Sequence, residues 1–311
     1  MKYSKLKSLN RTVSKIGLGC VTFGREIDKT QSLELLDKAF DEGINLLNTS
    51  YYYSNGESEK ILGNYFLTRK NRNKFTIISK IHGDLSSSVI EKCINQSLQR
   101  MNTDHIDFYG ITYDSKSKLE DILETMEKFI KQGKILKVAC NNFDNKLLLK
   151  SKKIQEANNH STFGILETVY NILYRGIERT IIKYCKSENI DIVTYSPLGA
   201  GFITGKYKNG LLSPKETRFD IKPAHKDIYF KEKFFDTMDR LEKLGKEENI
   251  SLVDLGLSWV ISKQFISSVL IGVRELSHIK RPIHLLNNKI NKDILEEVNI
   301  ITMKNQDLID P

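Results

Sequence analysis

The chain has 311 residues, 40% of them hydrophobic and 28% charged, which suits a folded globular protein and excludes collagen-like and disordered classes. Lysine and arginine exceed the acids by 48 to 39, a formal charge of +9. The cations are interleaved with acids, as in KFIKQGKILK and KDIYFKEKFFDTMDRLEKLGKEEN, so they describe solvated helix faces and argue against nucleic-acid binding.

No apolar run reaches the roughly 20 residues of a membrane span. The opening MKYSKLKSLNRTVSKIG lacks the apolar core of a signal peptide, which predicts a cytoplasmic protein. Cys20, Cys93, Cys140 and Cys185 stand far apart, with no CxxC pair, and read as reduced, mostly buried thiols with no metal or disulfide role. The histidines carry no metal-like spacing either.

In chain order, VSKIGLGCV (13–21) supplies a first strand. QSLELLDKAFDEG (31–43) follows as a helix, with Leu33, Leu36, Ala39 and Phe40 on its apolar face and Gly43 closing it. INLLNTS (44–50) and KFTIISK (74–80) are the next strands. SSSVIEKCINQSLQRM predicts a helix behind a serine N-cap, with Val89, Ile90, Cys93, Ile94, Ser97, Leu98 and Met101 inward. After the strand HIDFYGI (105–111), KLEDILETMEKFIKQG repeats the pattern with Leu119, Ile122, Leu123, Met126, Phe129 and Ile130, closed by Gly133. KILKVAC (134–140), FGILETV (163–169), DIVTYSPL (191–198) and SSVLIGV (267–273) complete eight strands.

Strands buried on both faces and alternating with helices imply a parallel sheet, and eight such units over 1–311 predict one closed (β/α)8 barrel. IGLGCVTFG opens no helix and is not the GxGxxG fingerprint, which argues against a Rossmann domain. Residues 206–232 break the rhythm and predict a variable loop over the C-terminal face. INKDILEEVNIITMKN, from about residue 290, predicts a helical tail.

GINLLNTSYYYSNGESEKILG, SLQRMNTDHIDFYGI, YNILYRGIE, YSPLGAGFITGKY and LIGVRE fall in order after successive barrel strands. With them the chain resembles the aldo-keto reductases, specifically their short bacterial-type branch, from about residue 10 to 285. The resemblance implies a TIM barrel, a nicotinamide cofactor, a small-molecule substrate and a tetrad of Asp, Tyr, Lys and His. In that tetrad the Tyr protonates a carbonyl oxygen, the Lys lowers the phenol pKa, the Asp holds the Lys and the His orients the carbonyl.

The carry-over is partial. Tyr53, fixed in register by the following NGESEKILG, and Lys80, ending KFTIISK, match the tetrad. The aspartate position is Asn48 and the histidine position Thr112. Without a carboxylate at 48, Lys80 is expected to lose its ion-pair partner, and an unpaired cation would pull the Tyr53 phenol down. Thr112 offers one hydroxyl and a shorter reach than imidazole.

The resemblance also assigns the cofactor contacts. Asn141, Asn142 and Glu167 fall where the nicotinamide carboxamide is held, and Tyr195 where its ring stacks. Glu167, if ionised, would favour the oxidised ring; turned toward a lysine or protonated, it would be structural. Gly19, Cys20 and Val21 match backbone contacts, and Ser196, Leu198 and Gly201 the pyrophosphate loop. Gly272, Val273 and Arg274 match the end that receives the adenosine phosphate, where arginine suits a 2′-phosphate and so NADP, with NAD the alternative. His278 and Pro282 depart from the family's adenine contacts. The implied function is NAD(P)-dependent oxidoreduction of a polar, sugar-like molecule. A redox-neutral enzyme with retained NADP, and a non-catalytic cofactor-binding member, are the alternatives. Substrate identity and oligomeric state are not legible.

Overall fold

The computed structural model of the chain describes residues 1–207, 215, 217–221, 223 and 226–304. A hairpin of β1 (Tyr3–Leu6) and β2 (Arg11–Ser14) precedes the strands β3 (Ile16–Gly19), β4 (Leu46–Asn48), β5 (Thr76–Ile81), β6 (Ile106–Ile111), β7 (Ile135–Asn141), β8 (Ile165–Val169), β9 (Asp191–Tyr195) and β10 (Ile266–Gly272). β3 to β10 pair in sequence order, all parallel, and β10 returns to β3, closing an eight-stranded barrel. This is the (β/α)8 architecture that the alternation predicts.

The helices between strands are α1 (Lys29–Asp41), α2 (Glu57–Arg69), α3 (Ser87–Met101), α4 (Leu119–Lys131), α5 (Asn145–Ala157) and α6 (Ile181–Ser187). After β9 come α7 (Arg218–Ile221), α8 (Lys226–Tyr229), α9 (Glu232–Glu247) and α10 (Leu252–Ser262), and after β10 α11 (Ser277–Asn287) and α12 (Lys292–Thr302). α12 is the expected tail helix. Residues 208–214, 216, 222, 224 and 225 of the expected loop, and 305–311 of the tail, lie outside the described residues. Among the described residues, no helix is long and apolar enough to cross a membrane.

Two local expectations are corrected. In α1 the buried face is Leu35, Leu36 and Ala39, while Phe40 is 39% exposed and leans on Phe75 at 5.4 Å. Leu33, Leu36 and Phe40 satisfy helical spacing equally well, so periodicity alone could not choose between stripes one residue apart. Ser86 is the N-cap of α3, but its side chain makes no capping hydrogen bond. The inward residues of α3 and α4 are as the spacing predicts, with Val89 and Ile130 at the margins.

The hairpin, which the sequence reading passed over, plugs the N-terminal end of the barrel. Leu6 and Val13 pack with Leu46, Ile78, Phe108, Ala139, Ile165, Val193 and Leu270, an apolar floor with one residue from each of seven barrel strands. β3 contributes Gly17 near this level, where a Cβ would stand 2.8 Å from Leu270 and 3.1 Å from Leu46, so a larger residue there would have to displace both leucine side chains. Because side chains alternate faces, the residue two places further along each strand points into the same interior. Those residues are Asn48, Lys80, Gly110, Asn141, Glu167, Tyr195 and Gly272.

Candidate active site

This second layer, at the C-terminal ends of the strands, is polar where the floor is apolar. Asn48, Lys80 and Glu167 are 3%, 8% and 1% exposed, too buried for water to carry their polar groups. Lys80 and Glu167 stand on β5 and β8, three strands apart, so their contact runs through the interior. Lys80 Nζ donates to Glu167 Oε1 in a short ion pair. It also donates to Asn48 Oδ1 at 2.9 Å, and Asn48 Nδ2 donates to Glu167 Oε2 at 2.9 Å. The three side chains form a closed ring in which both carboxylate oxygens are used.

The expectation that Lys80 has lost its ion-pair partner is therefore overturned: the carboxylate stands on β8 instead of β4. Burial alone would lower the lysine's pKa, but Glu167 first and Tyr53 next more than offset it, and Lys80 lies above the ordinary lysine value. Paired in this way, Glu167 no longer presents a bare negative charge to a nicotinamide. The ground for expecting a preference for the oxidised ring disappears with it.

Tyr53 is half-buried, and Lys80 Nζ lies 5.6 Å from its ring centroid. Its loop is held to β5: Tyr51 N–H and Ser50 Oγ both donate to Lys80 O at 3.0 Å. From behind, Arg100 of α3 donates to Tyr51 O at 3.0 Å and to Glu59 at 3.1 Å, and lies 4.3 Å over the Tyr51 ring. Glu59, fully buried and with its pKa raised by burial, also accepts from Ser79 Oγ at 2.8 Å. Gly56, at φ 90°, leaves the room Arg100 occupies, since a Cβ there would meet the guanidinium at 2.4 Å. This support was not singled out from sequence; the glycine and the arginine are 44 residues apart, and only the fold joins them.

On β7, Asn141 Nδ2 donates to Thr112 Oγ1 at 2.8 Å, which leaves the threonine O–H to donate elsewhere. Asn141 Oδ1 is buried without a hydrogen-bond partner. Asn142, at φ 55°, is joined to the Tyr195 hydroxyl at 2.9 Å. Non-glycine residues at positive φ include Ser54, Ser196 and Ala200, all in loops leaving the C-terminal ends of strands. Such conformations cost about 1 to 3 kcal/mol each and concentrate at functional sites.

The other predicted contacts gather at the β3–β10 seam. Gly19 and Gly272 pair in register. Cys20 is buried, its thiol pushed up by burial, and its N–H donates to Asn48 O at 2.8 Å. Val21 is half-buried, and Val273 O accepts from Thr22 Oγ1 at 2.7 Å. Leu198, Ser196 and Gly201 lie in the turn after β9, where Lys206 Nζ comes within 3.7 Å of a Cβ position at Gly201. Burial, and then the charge of Arg274, hold Lys206 below its usual pKa. Arg274 reaches Glu26 at 3.5 Å, Arg218 reaches the same carboxylate at 3.9 Å, and His278 Nδ1 accepts from Arg274 N–H at 3.2 Å. None of Lys206, Arg218 and Glu26 was singled out from sequence: Lys206 lies within YSPLGAGFITGKY, whose glycines and serine drew the reading, and no motif covers Arg218 or Glu26.

These groups fit a nicotinamide dinucleotide. The unsatisfied acceptor on Asn141 can take an amide N–H, and the cations at Lys206 and Arg274 suit phosphate. Among the described residues, no group of three His, Cys, Asp or Glu could hold a metal ion.

The model of the Aldo/keto reductase family matches residues 15–302, from the start of β3 to the end of α12. A Bacillus subtilis protein named uncharacterized oxidoreductase YrpG is 26% identical over 97% of this chain and 96% of its own length. The aldo-keto reductase YhdN of the same organism is 24% identical over 97% and 93%. The aldo-keto reductase yakc [NADP(+)] of Schizosaccharomyces pombe is 25% identical over 93% and 88%. Members of this family use NAD(P)H. With the match running from the first barrel strand to the last helix, the chain belongs to the aldo/keto reductase family and is an oxidoreductase.

Proposed function

We propose that the chain interconverts a carbonyl and an alcohol on a small, polar, sugar-like molecule, with NADP as cofactor and Tyr53 as acid and base. The observation that carries this reading is the buried, paired Lys80 with its ammonium beside the Tyr53 ring. A bound nicotinamide would supply the hydride. Tyr53 O–H gives its proton to the carbonyl oxygen as the alcohol forms, and the resulting phenolate is stabilised by Lys80 until solvent reprotonates it. Thr112, its oxygen occupied by Asn141, donates its hydroxyl to the same carbonyl oxygen. In the reverse direction Tyr53 is the base.

Asn141, Asn142 and Tyr195 would hold the nicotinamide, and Gly19, Cys20, Val21, Ser196, Leu198, Gly201, Gly272 and Val273 the rest of the cofactor. Arg274, with Lys206, favours a 2′-phosphate. A polar substrate is supported by the rim, where the exposed Tyr52 lies against His82 with ring centroids 4.6 Å apart and planes tilted by 54°, aromatic surfaces with polar edges. The buried thiols suit a cytoplasmic setting.

The test is a fluorescence titration with NADPH, NADP⁺, NADH and NAD⁺, then NADPH consumption across aldehydes, ketones and aldoses. Tight NADPH binding with turnover on a hydroxylated carbonyl is the expected result. Binding of none of the four cofactors would overturn the reading.

A further inference from the structure

The ring of Lys80, Glu167 and Asn48 assigns β8 a part in the reaction. We propose that Glu167 is the positioning residue that keeps Lys80 a cation at Tyr53, with Asn48 as the neutral bridge that fixes both. The proposal rests on the reading that Tyr53 and Lys80 perform the proton transfer.

Three observations carry it. Lys80 is buried, and an ammonium in such a place gives up its proton unless an anion faces it. The titratable groups that face Lys80 are Glu167 of β8, Tyr53 of the loop after β4, Tyr195 of β9 and Cys20 after β3. A phenol or thiol is neutral near pH 7 at its reference pKa, so the carboxylate is the anion at hand. Second, both oxygens of Glu167 are already in use by Lys80 and Asn48. The acceptor in this layer without a partner is Asn141 Oδ1, so a carboxamide has a better site there. Third, Asn48 presents its oxygen to Lys80 and its nitrogen to Glu167, the only orientation that satisfies all three groups.

The ring has a mirror form. With Asn48→Asp and Glu167→Gln together, the carboxylate would sit on β4, where an oxygen already stands 2.9 Å from Lys80 Nζ. The amide on β8 would then donate back to it. The number of side-chain atoms and the net charge are unchanged, so the double variant tests where the charge sits without changing its amount.

Two readouts test the proposal on the full-length protein. The first needs no turnover: with ¹³C-labelled lysine and Lys80 assigned through Lys80→Met, NMR follows the ammonium of Lys80 against pH. In the wild type it should remain protonated past the point where exposed lysines titrate, roughly pH 10.4. In Glu167→Gln it should titrate before them, and in the double variant late again. The second is the pH profile of NADPH-dependent kcat. Glu167→Gln should move the alkaline limb toward neutrality by at least about one pH unit, so that kcat read at a fixed pH on that limb falls about tenfold or more. The double variant should recover most of the loss, and NADPH affinity should change little in either.

An unmoved Lys80 titration in Glu167→Gln would overturn the proposal. So would a weakened NADPH affinity with the kcat profile unchanged, which would make Glu167 a cofactor contact. A wild type without turnover whose Lys80 still titrates as expected would sink the oxidoreductase assignment of Tyr53 and leave the ion pair standing.

Discussion

The two ends of the barrel each bury a carboxylate against a cation, and they do so with different chemistry. At the N-terminal end Asp107, fully buried, pairs with Arg11 of the hairpin and with Arg72 at 2.9 Å, and accepts Ile77 N–H at 2.9 Å. At the C-terminal end Glu167 pairs with Lys80, and Asn48 closes the ring. Arginine stays charged under any condition a protein survives, and two of them with a backbone amide make a fixed clamp. A buried lysine can lose its proton, and its charge depends on what faces it. The end that holds the hairpin down uses the cation that cannot titrate. The end beside Tyr53 uses the one that can.

If that contrast is correct, variants at the two ends should separate stability from activity. The largest effect should come from Lys80→Met, which removes the cation from Tyr53 and leaves Glu167 buried without its partner. Turnover should fall about 100-fold or more, and stability by about 3 to 5 kcal/mol, read from urea unfolding beside steady-state kinetics. Full activity in this variant would break the comparison at its active end. Asp107→Asn should cost a similar 3 kcal/mol or so, with kcat in the folded protein within about twofold of wild type. A large kcat loss there would mean that the floor transmits strain to the polar layer.

A third prediction concerns the thiols, which belong with the structural set. Burial holds Cys140 well above the usual 9.0, and Cys185 is pushed up to about 12. Above pH 9 the unfolded chain releases these protons while the folded chain keeps them, so stability falls as pH rises. Each thiol contributes a slope of about 1.4 kcal/mol per pH unit. Melting curves between pH 8 and 10 should therefore decline less steeply for Cys140→Ala than for wild type, and parallel curves would refute the assignment. The smallest effect is expected on the outer surface. Arg281 and Asp254 pair at 2.7 Å but are 46% and 26% exposed, so Arg281→Ala should cost less than about 1 kcal/mol, with kcat unchanged.

The fold was legible because its signal is redundant. Eight β-branched runs alternating with amphipathic stretches admit few arrangements, and an error at one helix face, as at Phe40, leaves the topology intact. The hairpin escaped because each of its strands has four residues, one or two of them facing the core, too few for a period to emerge. Tyr53 and Lys80 were legible through the residues flanking them. The partner of Lys80 was sought five residues before Tyr53, where the chain has Asn48. It lies 87 residues away, three strands round the barrel. Local spacing says nothing about a contact across a barrel interior. The period of two would have given a clue, since Asn48, Lys80 and Glu167 each stand two residues beyond the aliphatic floor residues Leu46, Ile78 and Ile165.

The most direct test of the division between the two ends is Tyr53→Phe, which deletes one oxygen at the active end and touches none of the buried ion pairs. Turnover with NADPH and a carbonyl substrate should fall about 100- to 10,000-fold, with the melting temperature and NADPH affinity held at wild-type values. Turnover retained in that variant would contradict the account, because the paired lysine would then have no phenol to serve.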